Sequence, residues 1–245
     1  VSKMDAIVLF SIIIVAASIL QTSTGFGFSI MATPFLLLLF EPKEAIQINL
    51  ILSLVISVAL IRKVHQDVDV TILKRFITGS FSGLVLGIVI FLYVNTAQLK
   101  LVVSLVILLL TFLLILSFRV KQTKERDFFV GGISGALTTS IGMPGPPLLL
   151  YFSGTGASKE KIRATTLAFY LFIYSASLAV QIVFVGATQT VWVSSALALP
   201  LVIIGLVVGQ KLFMWVSQRL FRLFTYILLL FTGFYLLLER LISNG

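Results

Sequence analysis

The run Thr138-Thr139-Ser140-Ile141-Gly142-Met143-Pro144-Gly145-Pro146-Pro147 lies inside an otherwise apolar stretch from Phe128 to Phe152. Proline lacks the amide donor a helix needs and clashes with the preceding turn, while glycine relaxes the helical constraint. An unbroken helix through Pro144, Pro146 and Pro147 is therefore excluded. The flanks are too apolar for a water-exposed loop, so the stretch reads as a helix broken inside an apolar medium. A looser version occurs earlier. Gly25, Gly27 and Pro34 interrupt the apolar run from Ala6 to Phe40, next to Gln21-Thr22-Ser23-Thr24.

The two breaks belong to an internal repeat. Thr139-Ser140-Ile141-Gly142 follows Thr22-Ser23-Thr24-Gly25 by 117 positions, and Ser158-Lys159-Glu160 follows Pro42-Lys43-Glu44 by 116. This predicts a first repeat over 1–118, a charged linker over 119–126 and a second repeat over 127–245. Each repeat opens with a broken segment and continues with three ordinary apolar spans.

Composition fixes the medium. Of 245 residues, 59% are hydrophobic and 11% charged, too little polar surface for a water-soluble domain. Runs such as Ile46–Ile61, Phe76–Tyr93, Leu99–Phe118, Ile162–Val185, Val191–Gln210 and Phe221–Leu238 approach the roughly 20 residues needed to cross a bilayer as helix. They are too long and too evenly apolar for barrel strands. The expected fold class is an all-α polytopic membrane protein, with seven or eight helices by hydropathy. The first apolar run is expected to be retained, because no cleavage site follows it. The absence of cysteine excludes disulfides, thiolate metal sites and cysteine nucleophiles. The single histidine, His65, falls in a charged loop and reads as a surface residue. No catalytic residue, metal site or cofactor is expected.

The net charge of +9 does not imply nucleic acid, since the basic residues flank the spans. They also discriminate between topologies. If both broken segments cross the membrane, the basic residues divide 10 to 8 between the two sides. If each enters and leaves on one side, 14 lie inside and only Lys3, Lys43, Lys100 and Arg240 lie outside. The second division obeys the positive-inside rule, so re-entrant hairpins are expected. A hairpin plus three crossings is an odd unit, which turns the second repeat upside down, as in many secondary transporters.

A broken helix exposes amides at the start of its second half, where the dipole favours an anion. The first break offers Gln21, Ser23, Thr24, Gly25, Gly27 and Ser29. The second offers Thr139, Ser140, Gly142 and Gly145. Asn49, Arg163 and Tyr170 follow as further candidates, with Tyr174 and Gln181 on the same path. Arg163 reads equally as an anion attractor or as a snorkelling residue at the end of a span. Glycines spaced by four (Gly79, Gly83 and Gly87, then Gly205 and Gly209) read as helix-packing positions. Trp192 and Trp215 read as interface anchors. Gly142-Met143-Pro144-Gly145 is not a phosphate loop, since no lysine follows in register. No acidic residue falls deep in a span, so a midplane carboxylate relay is unsupported.

Gly25-Phe26-Gly27 with Pro34, Gly131-Gly132-Ile133-Ser134-Gly135, Gly142-Met143-Pro144-Gly145-Pro146-Pro147 and the two Lys-Glu pairs together resemble the sulfite exporter TauE/SafE family of permeases. The resemblance covers essentially the whole chain, with Phe26 and Phe28 where related proteins often have further glycines. It implies secondary transport, mostly export, of small sulfur-containing anions such as sulfite, sulfoacetate or other organosulfonates. It also implies residence as a multi-pass protein in the plasma membrane. The expected partners are that substrate and membrane lipid, with a homodimer allowed. An anion channel of the same fold and a non-transporting scaffold are the alternatives.

Overall fold

The computed structural model describes residues 3–94, 98, 101, 105, 108, 109, 112, 122–153, 155–215, 227, 230 and 234. The expected spans Leu99–Phe118 and Phe221–Leu238 fall mainly outside the described residues. The described elements are α1 (Lys3–Thr24), α2 (Phe28–Leu39), α3 (Pro42–Val64), α4 (Val70–Tyr93), α5 (Lys124–Ile141), α6 (Gly145–Ser153), α7 (Lys159–Val185) and α8 (Gln189–Trp215). Among the described residues, five spans of 21 to 27 residues (Met4–Thr24, Pro42–Asp67, Val70–Tyr93, Lys159–Val185 and Gln189–Phe213) are long and apolar enough to cross a membrane, and α2 is a shorter apolar helix. Large apolar side chains such as Ile7, Phe81, Val85, Leu197 and Ile203 are exposed along α1, α4 and α8. Water would not tolerate such a surface, and lipid does. The molecule is a multi-span helical membrane bundle.

Local chemistry sets the helix boundaries. Pro42 opens α3, where a missing amide costs nothing. The Asp69 carboxylate accepts from the amides of Thr71 and Ile72 to start α4, and Thr123 and Ser158 cap α5 and α7. Gly25 and Gly27, with φ of 82° and 104°, separate α1 from α2. Gly142, with φ of 73°, ends α5. Pro34 is different: it sits within α2 rather than interrupting the chain, so the first break is made by its glycines.

Two seams hold the bundle. An added Cβ at Gly79 or Gly83 on α4 would lie 2.0 Å from the carbonyl oxygens of Phe128 and Gly132 on α5. At Gly205 and Gly209 on α8 it would lie 2.2 and 2.6 Å from the Cβ atoms of Ser18 and Thr22 on α1. The packing role read for these glycines is thus met. Residue numbers rise together along both seams, so α4 runs parallel to α5 and α8 parallel to α1. α3 packs on α7 between the seams.

Polar contacts fix the two ends of the bundle. At one end Lys161 pairs with Asp69 at 3.2 Å, the Asp69 amide donates to Thr165, and Arg75 pairs with Asp127 at 2.9 Å. At the other, Thr188 donates to Glu44 and Gln47 donates to the Gly186 carbonyl. α3 and α7 are therefore antiparallel. Both broken segments double back. Tyr151 donates to Asp127, and the Phe10 and Phe40 rings meet edge-on at 5.7 Å. A continuous helix would separate Tyr151 from Asp127 by about 36 Å. Asp127 lies in the first turn of α5, at a helix end rather than deep in a span, yet it is fully buried.

Candidate functional site

Each break leaves the last carbonyls of one helix and the first amides of the next without helical partners. The carbonyls are met by long-range donors. Arg163 donates to Thr22 O at 2.6 Å, Gln181 to Thr139 O at 2.8 Å and Asn49 to Gly142 O at 2.7 Å. Gln21 is turned away from its own break, donating to Ser53 O at 3.1 Å and lying 3.3 Å from the Ser57 hydroxyl. Arg163 does not snorkel. It is 7% exposed, and its guanidinium lies 4.1 Å over the Phe213 ring.

The amides are treated differently in the two breaks. α2 begins at Phe28 behind Gly27, with no side-chain cap, so its first-turn amides are open. α6 begins with Gly145-Pro146-Pro147, and the two prolines have no amide to offer. The expectation of backbone donors at both breaks therefore applies fully only to the first.

The four hydroxyls nearest the breaks are engaged with backbone. Ser23 donates to Leu20 O at 3.2 Å, and Ser140 to Ala136 O at 2.6 Å. The Thr24 hydroxyl lies 2.6 Å from Leu20 O and accepts from the Phe26 amide at 3.1 Å. The Thr139 hydroxyl lies 3.0 Å from Gly135 O and 2.8 Å from the Ser177 hydroxyl. These are the i−3 and i−4 bonds that serine and threonine commonly make in helices.

The breaks meet through their second halves. A Cβ on Gly145 would lie 2.9 Å from the Tyr170 hydroxyl and 3.1 Å from Ile30 of α2. The Phe26 and Phe152 rings touch edge-on at 6.4 Å. The Tyr170 and Tyr174 rings lie 4.9 Å apart, tilted 53° to one another, and the Tyr174 hydroxyl faces Ser29 and Ser53. Ser29, Ser53, Thr166, Tyr170 and Tyr174 are fully buried, and none of their hydroxyls has a hydrogen-bond partner. Leaving one such group unpaired costs about 1–3 kcal/mol. A concentration of them marks a place where a polar guest would repay that cost.

Gly25 and Gly142 hold their helix ends close to α7 and α3. A Cβ at Gly25 would meet the Arg163 Cα at 3.0 Å, and one at Gly142 would meet the Asn49 side-chain nitrogen at 2.8 Å. At Gly27 it would strike Leu20 at 2.6 Å. Among the described residues, no three His, Cys, Asp or Glu side chains come together as a metal site.

Ser53 and Thr166 were not among the sequence candidates. α6 begins 117 residues after α2, α7 begins 117 after α3, and Gly142 follows Gly25 by 117. In that register Asn49, Ser53 and Ser57 fall opposite Thr166, Tyr170 and Tyr174. Both sets are stripes of residues four apart on single helix faces, a signal present in the sequence. The Lys-Glu pairs match one position out of step, because Pro42 and Lys159 are each the first helical residue.

The profile of the sulfite exporter TauE/SafE family matches residues 9–236. The chain belongs to this family. Family membership assigns it to membrane transport rather than to enzymes. Comparison with curated proteins and with solved structures returned no match.

Proposed function

We propose that this family member is a secondary transporter that exports small sulfur-containing anions, such as sulfite or organosulfonates, across the plasma membrane. The observation that carries the reading is the buried cluster of unpaired hydroxyls (Ser29, Ser53, Tyr170, Tyr174) beside the open first turn of α2. Hydroxyls and amides stabilise an oxyanion without requiring a buried cation. In this proposal Ser23, Thr24, Thr139 and Ser140 turn their hydroxyls from helix carbonyls to the anion as it binds. Gly25, Gly27, Gly142 and Gly145 allow the backbone to approach it. Asn49 and Arg163 hold the surrounding helix ends, and Gln21 ties α1 to the middle of α3.

The proposed architecture is an inverted repeat over 1–118 and 127–245, each half a re-entrant hairpin followed by three crossings. Its support is the 14 to 4 division of basic residues, together with the ends at which the helices begin. The loops around 62–75, 119–127, 153–161 and 211–219 then face the cytoplasm. Single cysteines at Lys121 and Ser158 should resist an impermeant thiol reagent applied outside, and cysteines at Ser2 and Asn244 should react. Reaction at position 158 from outside defeats the arrangement.

The burial of the cluster favours a carrier over an open channel. Purified protein in liposomes should show saturable sulfite flux with counterflow. Flux that stays linear in concentration would make it a channel, and absence of flux and binding across a panel of anions would leave a scaffold.

A further inference from the structure

Arg163 is a buried cation without a counter-ion. The carboxylates near its end of the bundle are taken: Asp69 pairs with Lys161, Glu160 with Lys159 and Asp127 with Arg75. Among the described residues, which include every acidic side chain except that of Glu239, no carboxylate pairs with Arg163. Its Nη2 donates to Thr22 O and its guanidinium lies over the Phe213 ring, but its buried Nε has no hydrogen-bond partner. A carbonyl and a ring face are both neutral and leave the charge uncancelled. Buried charges are ordinarily paired, and one that is not is costly to keep. Within a membrane protein such a residue marks the path of an ion or substrate.

The surroundings extend the argument. Lys159, one turn earlier, reaches the same Phe213 ring at 4.8 Å, so two cations meet one ring where α7 begins. Thr166, three residues after Arg163, is fully buried, and its hydroxyl is unpaired as well. Tyr170 and Tyr174 follow at intervals of four, again with unpaired hydroxyls. Residues three and four apart share a helix face, so Arg163, Thr166, Tyr170 and Tyr174 form one ladder of unsatisfied donors along α7. The ladder is about 16 Å long and ends beside Ser29 of α2.

We infer that Arg163 and Thr166 form a second oxyanion station, separate from the hydroxyl cluster at Tyr170 and Tyr174. It lies about 10 Å from Tyr170, toward the end where Lys161 pairs with Asp69. A small oxyanion there accepts from Arg163 Nε and the Thr166 hydroxyl and supplies the missing counter-charge. In the proposed topology that end is cytoplasmic, so the station receives the anion before it moves along α7. This order of events rests on the transport reading above, whereas the binding site does not.

The test is calorimetry on the purified full chain with sulfite, alongside sulfite flux in proteoliposomes. The parent should show two binding components. Arg163→Gln keeps a donor for Thr22 O and removes the charge. It should weaken one component about tenfold to a hundredfold and spare the other, while Tyr170→Phe does the reverse. Arg163→Lys keeps the charge and should lose less than Arg163→Gln. A role confined to holding Thr22 O predicts no loss in Arg163→Gln, and that result overturns the station. Thr166→Val preserves shape and decides the matter if the Arg163 variants do not fold, since it should weaken the same component about tenfold. A single component weakened by both Arg163→Gln and Tyr170→Phe merges the two sites and overturns their separation. Flux without any binding change in Arg163→Gln or Thr166→Val removes the station and leaves transport standing. Two components without flux keep the station and defeat transport, and the absence of both binding and flux overturns both.

Discussion

The two helix breaks share a left-handed glycine at the end of their first helix and differ in chemistry beyond it. Gly25 and Gly142, 117 residues apart, have φ of 82° and 73°, and they abut α7 and α3 respectively. Beyond the turn they diverge. The first break opens into α2 with its amides free, while the second opens into Gly145-Pro146-Pro147, where two donors are missing. Their fastenings differ as well. The first hairpin closes on the Phe10–Phe40 ring pair, the second on the buried carboxylate of Asp127 held by Arg75 and Tyr151. The comparison suggests a division of labour in which the first break supplies donors and the second supplies a rigid wall.

The largest effect should come from the turn both breaks share. Gly142→Val combines left-handed strain of about 1–3 kcal/mol with crowding against Asn49 that adds about 1–3 kcal/mol. Recovery of monodisperse protein in detergent should fall steeply. Normal recovery would show that the turn tolerates a side chain and that the two breaks do not need the same geometry.

Next in size is the difference between the fastenings. Asp127→Ala leaves the buried Tyr151 hydroxyl without its acceptor and the partly exposed Arg75 without its partner, a loss of about 1–3 kcal/mol. Phe10→Leu removes only an aromatic pair worth about 0.5–1.5 kcal/mol. Thermal unfolding in detergent should therefore separate the variants, with Asp127→Ala melting lower. Equal melting points would mean that the ion pair adds nothing beyond apolar contact.

Much of this was legible in the sequence. The prolines at 144, 146 and 147 located the second break, and the repeat located the first. The four-residue spacing of Gly79, Gly83 and Gly87 announced a close helix contact, because only an absent Cβ lets backbones approach so far. Pairings between distant residues were not legible. Asp127 lies 52 positions from Arg75, and nothing local reveals that they share an end of the bundle. Nor does a sequence show that Ser140 spends its proton on Ala136 O while Ser29 has no partner. The Ser53 and Thr166 stripes were visible in principle. They were hidden by the apolar residues around them, and only the register of the helix starts brings them together.

A smaller effect sharpens the contrast between donors and wall. Pro147→Ala restores one amide to α6, and sulfite affinity should stay within about threefold of the parent, if the first break already supplies the donors. Ser29→Ala should weaken it about tenfold or more. Calorimetry on purified protein measures both, and the reverse order would exchange the roles of the two breaks.

The central claim is that elements of both breaks touch a single anion. A double-mutant cycle tests it most directly, pairing Ser29→Ala from the first break with Tyr170→Phe, whose hydroxyl sits beside Gly145 of the second. Sulfite affinity of the parent, both single variants and the double variant is measured by calorimetry. The account predicts that each single change weakens binding and that the double change falls short of their sum by at least about 0.5 kcal/mol, since groups sharing a ligand couple. Strict additivity, or affinity unchanged in either single variant, would contradict it.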